Sequence, residues 1–290
     1  MTEALQVRKV ERSVTSQSLS QETAETPSAS EAAQVTRQMP KVAVSILLPA
    51  FNEEGNIKRS LETVSRTLSG IGLGYEIVVV DDGSKDGTRL AATKEMEELP
   101  VKVVGYGVNK GKGGALKYGT KFASGEIAVF LDCDGEINPL DLVEYLMALR
   151  DSDLAIGSKR HPNSRVEAPL ERKFLSACFN YMARFLTGVK YSDTQSGLKA
   201  FRTSSLKRIM PLVSVKRYAF DVEILTVASL MKMRVVELPV RIQLNARFRA
   251  RSVLRMLVDL LGIAYRLRIN RWYQRNLHNG SAEYSPVLRW

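Results

Sequence analysis

The chain has 290 residues, 44% of them hydrophobic, with 42 Lys and Arg against 31 Asp and Glu and a formal net charge of +11. That length suits one substantial core with appendages, and the positive balance selects anionic partners such as phosphates, nucleic acid or a lipid headgroup layer. Cys133 and Cys178 stand in no metal-like spacing, which argues against a disulfide framework or a zinc site, and no uncharged apolar run reaches the roughly 20 residues that span a bilayer.

Residues 1–40 are rich in Ser, Thr, Gln, Glu and Ala, a composition that cannot offset ordering entropy, and are expected to form a disordered tail. From Val42 onward, β-branched runs at Val42 to Leu48, Glu76 to Val80, Val101 to Val104 and Ile127 to Leu131 alternate with helical stretches. The spacing predicts those helices over Glu53 to Leu68, Thr88 to Glu98 and Gly113 to Ala123. Apolar strands separated by helices imply an α/β fold with a mainly parallel central sheet flanked by helices. Further on, the pattern predicts a helix at Pro139 to Arg150, a strand at Leu154 to Gly157, a helix at Leu170 to Thr187, and a later helix and strand. Residues 251–275 read as one long amphipathic helix loaded with arginine. The expected organisation is a tail over 1–40, a main α/β domain over 41–248 and a basic helical segment over 249–290.

Ligands of open parallel sheets bind at the carboxyl ends of the strands, and the polar clusters fall there. The first strand runs into Pro49, Phe51, Asn52 and Glu53, where Glu53 suits either the following helix dipole or a donor ligand. The second ends in Asp81-Asp82-Gly83-Ser84, a turn composition that also offers carboxylates to a base or ribose. The third leads into Asn109-Lys110-Gly111-Lys112-Gly113-Gly114 and then a helix, a phosphate-binding arrangement that matches neither the Walker spacing nor the dinucleotide fingerprint. The fourth ends in Asp132-Cys133-Asp134-Gly135-Glu136. Alternate acids at a strand end can share one hard divalent cation, Mn2+ or Mg2+, and a polar turn is the plainer alternative.

These motifs, in this order from Val42 to about Asn245, resemble the inverting family 2 glycosyltransferases of the GT-A fold. The second half is most similar to the polyprenyl and dolichyl phosphate sugar synthases. It carries Gly157-Ser158-Lys159, then Arg172-Lys173-Phe174-Leu175-Ser176, then the run from Asp193 through Ser196-Gly197 to Phe201-Arg202. The resemblance implies a nucleotide sugar donor held by Pro49, Phe51, Asn52, Glu53, Asp82, Lys110 to Gly113, Asp132, Cys133 and Asp134, with Arg202 on the donor phosphates. It implies metal ligation by Asp132 and Asp134, with Glu136 the candidate third ligand at a position where mannosyl members often carry Gln, a departure that leaves the third ligand open. Lys159, Arg172 and Ser176 take the positions that bind the acceptor lipid phosphate. Asp134, Asp193, Asp221 and Arg202 are the expected catalytic residues. Asp221 and Glu223 do not share a helical face, so at least one of the two is expected to be structural.

The glycine loop and the Asp-x-Asp-Gly ending look more like the UDP-glucose members than those using GDP-mannose, with UDP-N-acetylglucosamine a third option. A polyprenyl or dolichyl phosphate acceptor is already an anion and needs little base catalysis, whereas a glycan hydroxyl, the alternative acceptor, needs a base. A lipid acceptor also demands an anionic membrane surface as partner. The basic helix at 251–275 meets that demand by lying in the headgroup plane, unless it packs on the catalytic domain or a second subunit. Peripheral attachment to the cytoplasmic face of a membrane follows as the expectation. A nonenzymatic nucleotide-sugar-binding protein is the rival class, and no nucleic-acid-binding motif accompanies the charge.

Overall fold

The computed structural model describes residues 42–133, 141–217, 219–243 and 250–278; the expected tail over 1–40, Asp134 and Glu136 lie outside them. The four apolar runs form β1 (Val44–Ala50), β2 (Tyr75–Asp81), β3 (Val101–Gly105) and β4 (Ile127–Phe130). Alternate residues of each strand enter different cores. Ile46, Leu48, Ile77, Val79 and Val129 lie on one face, and Leu47, Val78, Val80, Ala128 and Phe130 on the other. Burial on both faces explains why these strands show no polar alternation.

The connecting helices are α1 (Ile57–Ile71), α2 (Thr88–Lys94) and α3 (Lys112–Gly119), the last two extended by short tight turns at Glu95–Glu97 and Thr120–Phe122. Helix α1 buries Ile57, Leu61, Val64 and Leu68, the three-and-four spacing of an amphipathic helix, and stops at Gly72, which adopts a left-handed φ of 72°. The chain continues through α4 (Leu142–Ala148), β5 (Leu154–Gly157), β6 (Arg165–Glu167), α5 (Leu170–Thr187), β7 (Lys199–Arg202), α6 (Thr203–Ile209), α7 (Phe220–Leu230), β8 (Val235–Leu238) and β9 (Arg241–Gln243). The seven-stranded sheet has the order β3-β2-β1-β4-β7-β5-β8, and β6 pairs with β9 separately. Every pairing is parallel except those of β7, which runs antiparallel to both β4 and β5.

The predicted long C-terminal helix is interrupted. Helix α8 (Ala250–Ala264) passes into a wide π turn at Tyr265–Ile269, and a separate helix, α9 (Trp272–His278), follows Arg271, whose φ is 49°. A left-handed residue cannot continue a right-handed helix, so the axis breaks there. Met256, Leu260, Ile263, Leu267 and Tyr273 join the same core as α7, so one face of this segment packs on the catalytic fold.

A buried acid ties the amino ends of the strands together. Glu76 of β2 accepts hydrogen bonds from Ser45 Oγ at 2.6 Å, Lys102 Nζ at 2.5 Å and Ser124 N at 2.7 Å. Burial alone raises its pKa, but these bonds outweigh burial and hold it at about 2. The folded pKa is depressed, so this stabilisation is present above the ordinary carboxylate range and is lost as pH falls toward 2. Urea denaturation at pH 7 should show Glu76→Gln destabilised by about 2 kcal/mol. The gap between wild type and variant should narrow at pH 3.

Candidate active site

The carboxyl ends of β1 to β4 open on one edge of the sheet, and side chains zip the loops there together. After β1, the Asn52 amide donates to Ser84 Oγ, and Asn52 Oδ1 accepts the Lys85 amide at 2.9 Å. Glu53 donates its amide to Thr88 Oγ1 at 2.7 Å, and Glu54 Oε2 accepts the Gly87 amide at 2.9 Å, just before α2. Phe51 is exposed on this edge, while Pro49 lies within β1 opposite Val80. The acids after the first strand thus join two loops.

Asp82, buried after β2, reaches into the glycine loop. Its Oδ1 accepts Tyr106 Oη at 2.7 Å and the Lys110 amide at 2.8 Å; its Oδ2 accepts the Gly111 amide at 2.8 Å. Both oxygens of Asp82 thus hold the glycine loop, at the carboxyl edge where its contact with the donor is expected. Gly111 has a φ of 87°, a conformation that side chains rarely adopt, and a Cβ there would lie 2.7 Å from the Lys216 carbonyl oxygen. A Cβ on Gly113 would lie 2.6 Å from the Phe220 side chain. Glycine at these positions lets α3 start against the segment before α7.

Lys112, at the start of α3, meets the acid after β4: its Nζ is 2.7 Å from Asp132 Oδ1 and 2.8 Å from Oδ2. Both oxygens of Asp132 thus pair with the Lys112 ammonium at the carboxyl edge. Cys133 is buried in the core, and its carbonyl accepts Ser60 Oγ. Its thiol contributes packing at a position predicted to touch the donor.

The second half of the sheet adds a cationic cluster. Lys159, just beyond β5, pairs with the buried Asp193 at 3.3 Å, and Asp193 also accepts the amides of Lys159 and Gln195. Burial pushes the Asp193 carboxyl upward, but Lys159 and those amides outweigh it and hold its pKa below the usual range. A carboxylate so held orients Lys159 and is a weak proton acceptor. Lys159, Arg172 and Ser176 line a single cavity of about 370 Å³, together with Arg160, Ser164 and Lys173. The three residues predicted to share an acceptor phosphate are thus brought together.

Arg202 requires a correction. Lys199 pairs with Phe130 and Arg202 with Ile127, so the reversed β7 puts Arg202 at the amino end of β4, about 10 Å along the strand from Lys199. Its guanidinium donates instead to the carbonyls of Ser152 at 3.0 Å and Arg150 at 2.6 Å. It holds the chain after α4 and does not face the donor loops. The cation that β7 brings to the carboxyl edge is Lys199, fully buried, 2.8 Å from Asp221 Oδ1. Burial lowers its pKa, the Asp221 charge opposes this, and nearby Lys112 adds to the lowering. The signal in the sequence was a lysine inside the apolar run Leu198 to Phe201. Asp221 is thereby engaged with Lys199, and Glu223, two residues on, points to the C-terminal helices.

Residues 45–210 match glycosyl transferase family 2. A dolichyl-phosphate beta-glucosyltransferase of Trichomonas vaginalis is 32% identical over 250 residues, which cover 81% of this chain and 77% of that protein. The dolichyl-phosphate beta-glucosyltransferase of Homo sapiens is 30% identical over 253 residues, 80% of this chain and 78% of the other. The fold is shared with glucosyl-3-phosphoglycerate synthase from Mycobacterium tuberculosis, solved with Mn2+, UDP-glucose and glycerol 3-phosphate, at a TM-score of 0.61, 20% identity and 81% coverage of each chain. Fold and relatives together define a nucleotide-sugar-dependent glycosyltransferase of the GT-A class. The chain belongs to glycosyl transferase family 2.

The position of Arg202 makes a direct prediction. Arg202→Met should lower the melting temperature through the lost carbonyl bonds, by about 1 to 2 kcal/mol in stability, yet leave the KM for the nucleotide sugar within about twofold.

Proposed function

We propose that this enzyme transfers glucose from UDP-glucose to a polyprenyl phosphate of the dolichyl type, with inversion, aided by Mn2+ or Mg2+ on Asp132 and Asp134. The observation that carries the acceptor is the cavity that joins Lys159, Arg172 and Ser176, since two cations and a hydroxyl suit a phosphate dianion. The glucosyl specificity named for the relatives supports the sugar, and the uridine nucleotide named for the structural neighbour supports the donor base.

On the donor side, Lys112 and the amino end of α3 supply positive charge for a diphosphate. Asp132 presents both oxygens to a cation, which suits a hard divalent ion, and the ion when bound would neutralise charge on the departing diphosphate. Asp82 holds the loop that carries these groups. On the acceptor side, Asp193 orients Lys159. An oxygen of the acceptor phosphate attacks the anomeric carbon, the bond from that carbon to the nucleotide diphosphate breaks, and the diphosphate leaves with the electron pair. The attacking oxygen is already anionic, so no proton has to be removed and Asp193 and Asp221 keep their ion pairs.

A lipid acceptor requires a bilayer beside the cavity, and the helix that carries Arg172 and Ser176 supplies a surface for one. Along α5, Leu170, Phe174, Tyr181 and Phe185 recur on one face and are 81%, 70%, 72% and 69% exposed. Helix α8, in contact with α5, exposes Leu254, Val258 and Leu261, continued by Tyr265, opposite its buried face. Two neighbouring exposed apolar stripes on a strongly basic chain fit a peripheral contact with an anionic membrane surface, on its cytoplasmic face. Among the described residues, no helix is long and apolar enough to cross a membrane. The reading keeps the catalytic domain at 41–248 and gives the segment from 249 two faces, one packed and one for lipid.

Incubation with polyprenyl phosphate, Mn2+ and a panel of radiolabelled nucleotide sugars, followed by organic extraction, tests the reaction. Label from UDP-glucose should enter the organic phase, and Arg172→Ala should raise the acceptor KM by about tenfold or more with the donor KM unchanged. Label that stays in water with every donor sinks the assignment. Phe174→Ser combined with Phe185→Ser should abolish sedimentation with anionic vesicles while the melting temperature holds.

A further inference from the structure

The donor loop has a second clamp, reached from the C-terminal helices. Glu223 in the first turn of α7 is fully buried, and each carboxylate oxygen serves a different part of the chain. Its Oε1 accepts Arg266 Nη2 at 2.9 Å and the hydroxyl of Tyr273, from the π turn and α9. Its Oε2 accepts the amides of Ser214 at 2.8 Å and Val215 at 2.7 Å. The stretch around those amides then meets α3: the Val213 carbonyl accepts Lys117 Nζ at 2.5 Å, and the Lys216 carbonyl accepts the Gly114 amide at 3.0 Å. That Lys216 carbonyl is also the atom that leaves no room for a side chain at Gly111.

We infer that Glu223 is a positioning residue for the donor site: held by Arg266 and Tyr273, it fixes residues 213–217, which fix the glycine loop. The inference rests on the donor reading given above. Two properties make the connection stiff. A buried carboxylate is costly to leave short of donors, so Arg266 and Tyr273 hold Glu223 where it accepts the Ser214 and Val215 amides. The close approach of Lys216 to Gly111 leaves no slack, so a displaced 213–217 stretch changes where the Gly111 and Lys112 amides point. The same C-terminal helices carry an exposed apolar stripe, so their docking on a bilayer and the set of the donor loop share one hydrogen-bonded hub.

Titration calorimetry with UDP and Mn2+, well below the melting temperature, tests this on the full chain. Glu223→Gln and Arg266→Gln should each weaken UDP binding by about fivefold or more. Tyr273→Phe, which removes one hydroxyl and is the variant best able to fold, should shift UDP affinity in the same direction. Arg268→Gln serves as the control, because Arg268 sits on the same π turn but donates to the carbonyls of Leu186 and Phe185, and it should leave UDP affinity unchanged. Folded Tyr273→Phe and Arg266→Gln proteins that bind UDP as wild type does would overturn the positioning role, as would an Arg268→Gln loss equal to theirs. A wild-type protein that fails to bind UDP contradicts the donor assignment instead, so the two failures are distinct.

Discussion

The carboxylate of Asp82 and the three donors it accepts decide the form of the site. A glycine-rich loop has high conformational entropy and by itself specifies no binding geometry. Asp82 offsets that by drawing two successive loop amides and the Tyr106 hydroxyl onto one buried group. With the loop anchored, α3 begins at Lys112 in a fixed place, and Lys112 faces Asp132 just beyond β4. The Asp-Asp-Gly-Ser and Asn-x-Gly-Lys-Gly motifs are thus one mechanical unit, and the first of them acts on the second.

The single reversed strand sets the rest. Because β7 runs against β4 and β5, its first residue lies at the carboxyl edge and its last at the amino edge. Lys199 therefore comes beside the site end and Arg202 leaves it. The residues before β7, including Asp193, stand next to the end of β5, where Asp193 pairs with Lys159. Two lysine–carboxylate pairs result, Lys112 with Asp132 and Lys159 with Asp193, with the buried pair of Lys199 and Asp221 in the same half of the sheet as the second. For a transfer between a diphosphate and a phosphate, separate positive regions at one sheet edge provide the electrostatic setting.

Much of this was legible in the sequence. Strands buried on both faces write continuous apolar runs, which is why β1 to β4 and β5 were found, and α5 was found from end to end. The motifs at the strand ends point to the loops that meet at the carboxyl edge and to Lys159, Arg172 and Ser176, which line one cavity. What escaped depends on strand direction and on partners distant in sequence. Nothing in Lys199 to Arg202 reports that the strand is antiparallel, so Arg202 was given a role that its register forbids. The loop-holding role of Asp82 is hidden from the sequence because its three donors come from residues 24 to 29 positions later. Periodicity predicts the helix at 251–275, but two apolar stripes on opposite faces, one packed and one exposed, depend on where α5 and α7 lie.

In the proposed reaction a donor diphosphate lies between the Gly111 to Gly113 loop and Asp132. A crystal structure with UDP and Mn2+ tests it most directly. Anomalous density for manganese should lie on Asp132, with a diphosphate against the amides at the start of α3 and Lys112 turned from Asp132 toward phosphate oxygen. Manganese and UDP bound elsewhere, with the Lys112 and Asp132 pair intact, would contradict it.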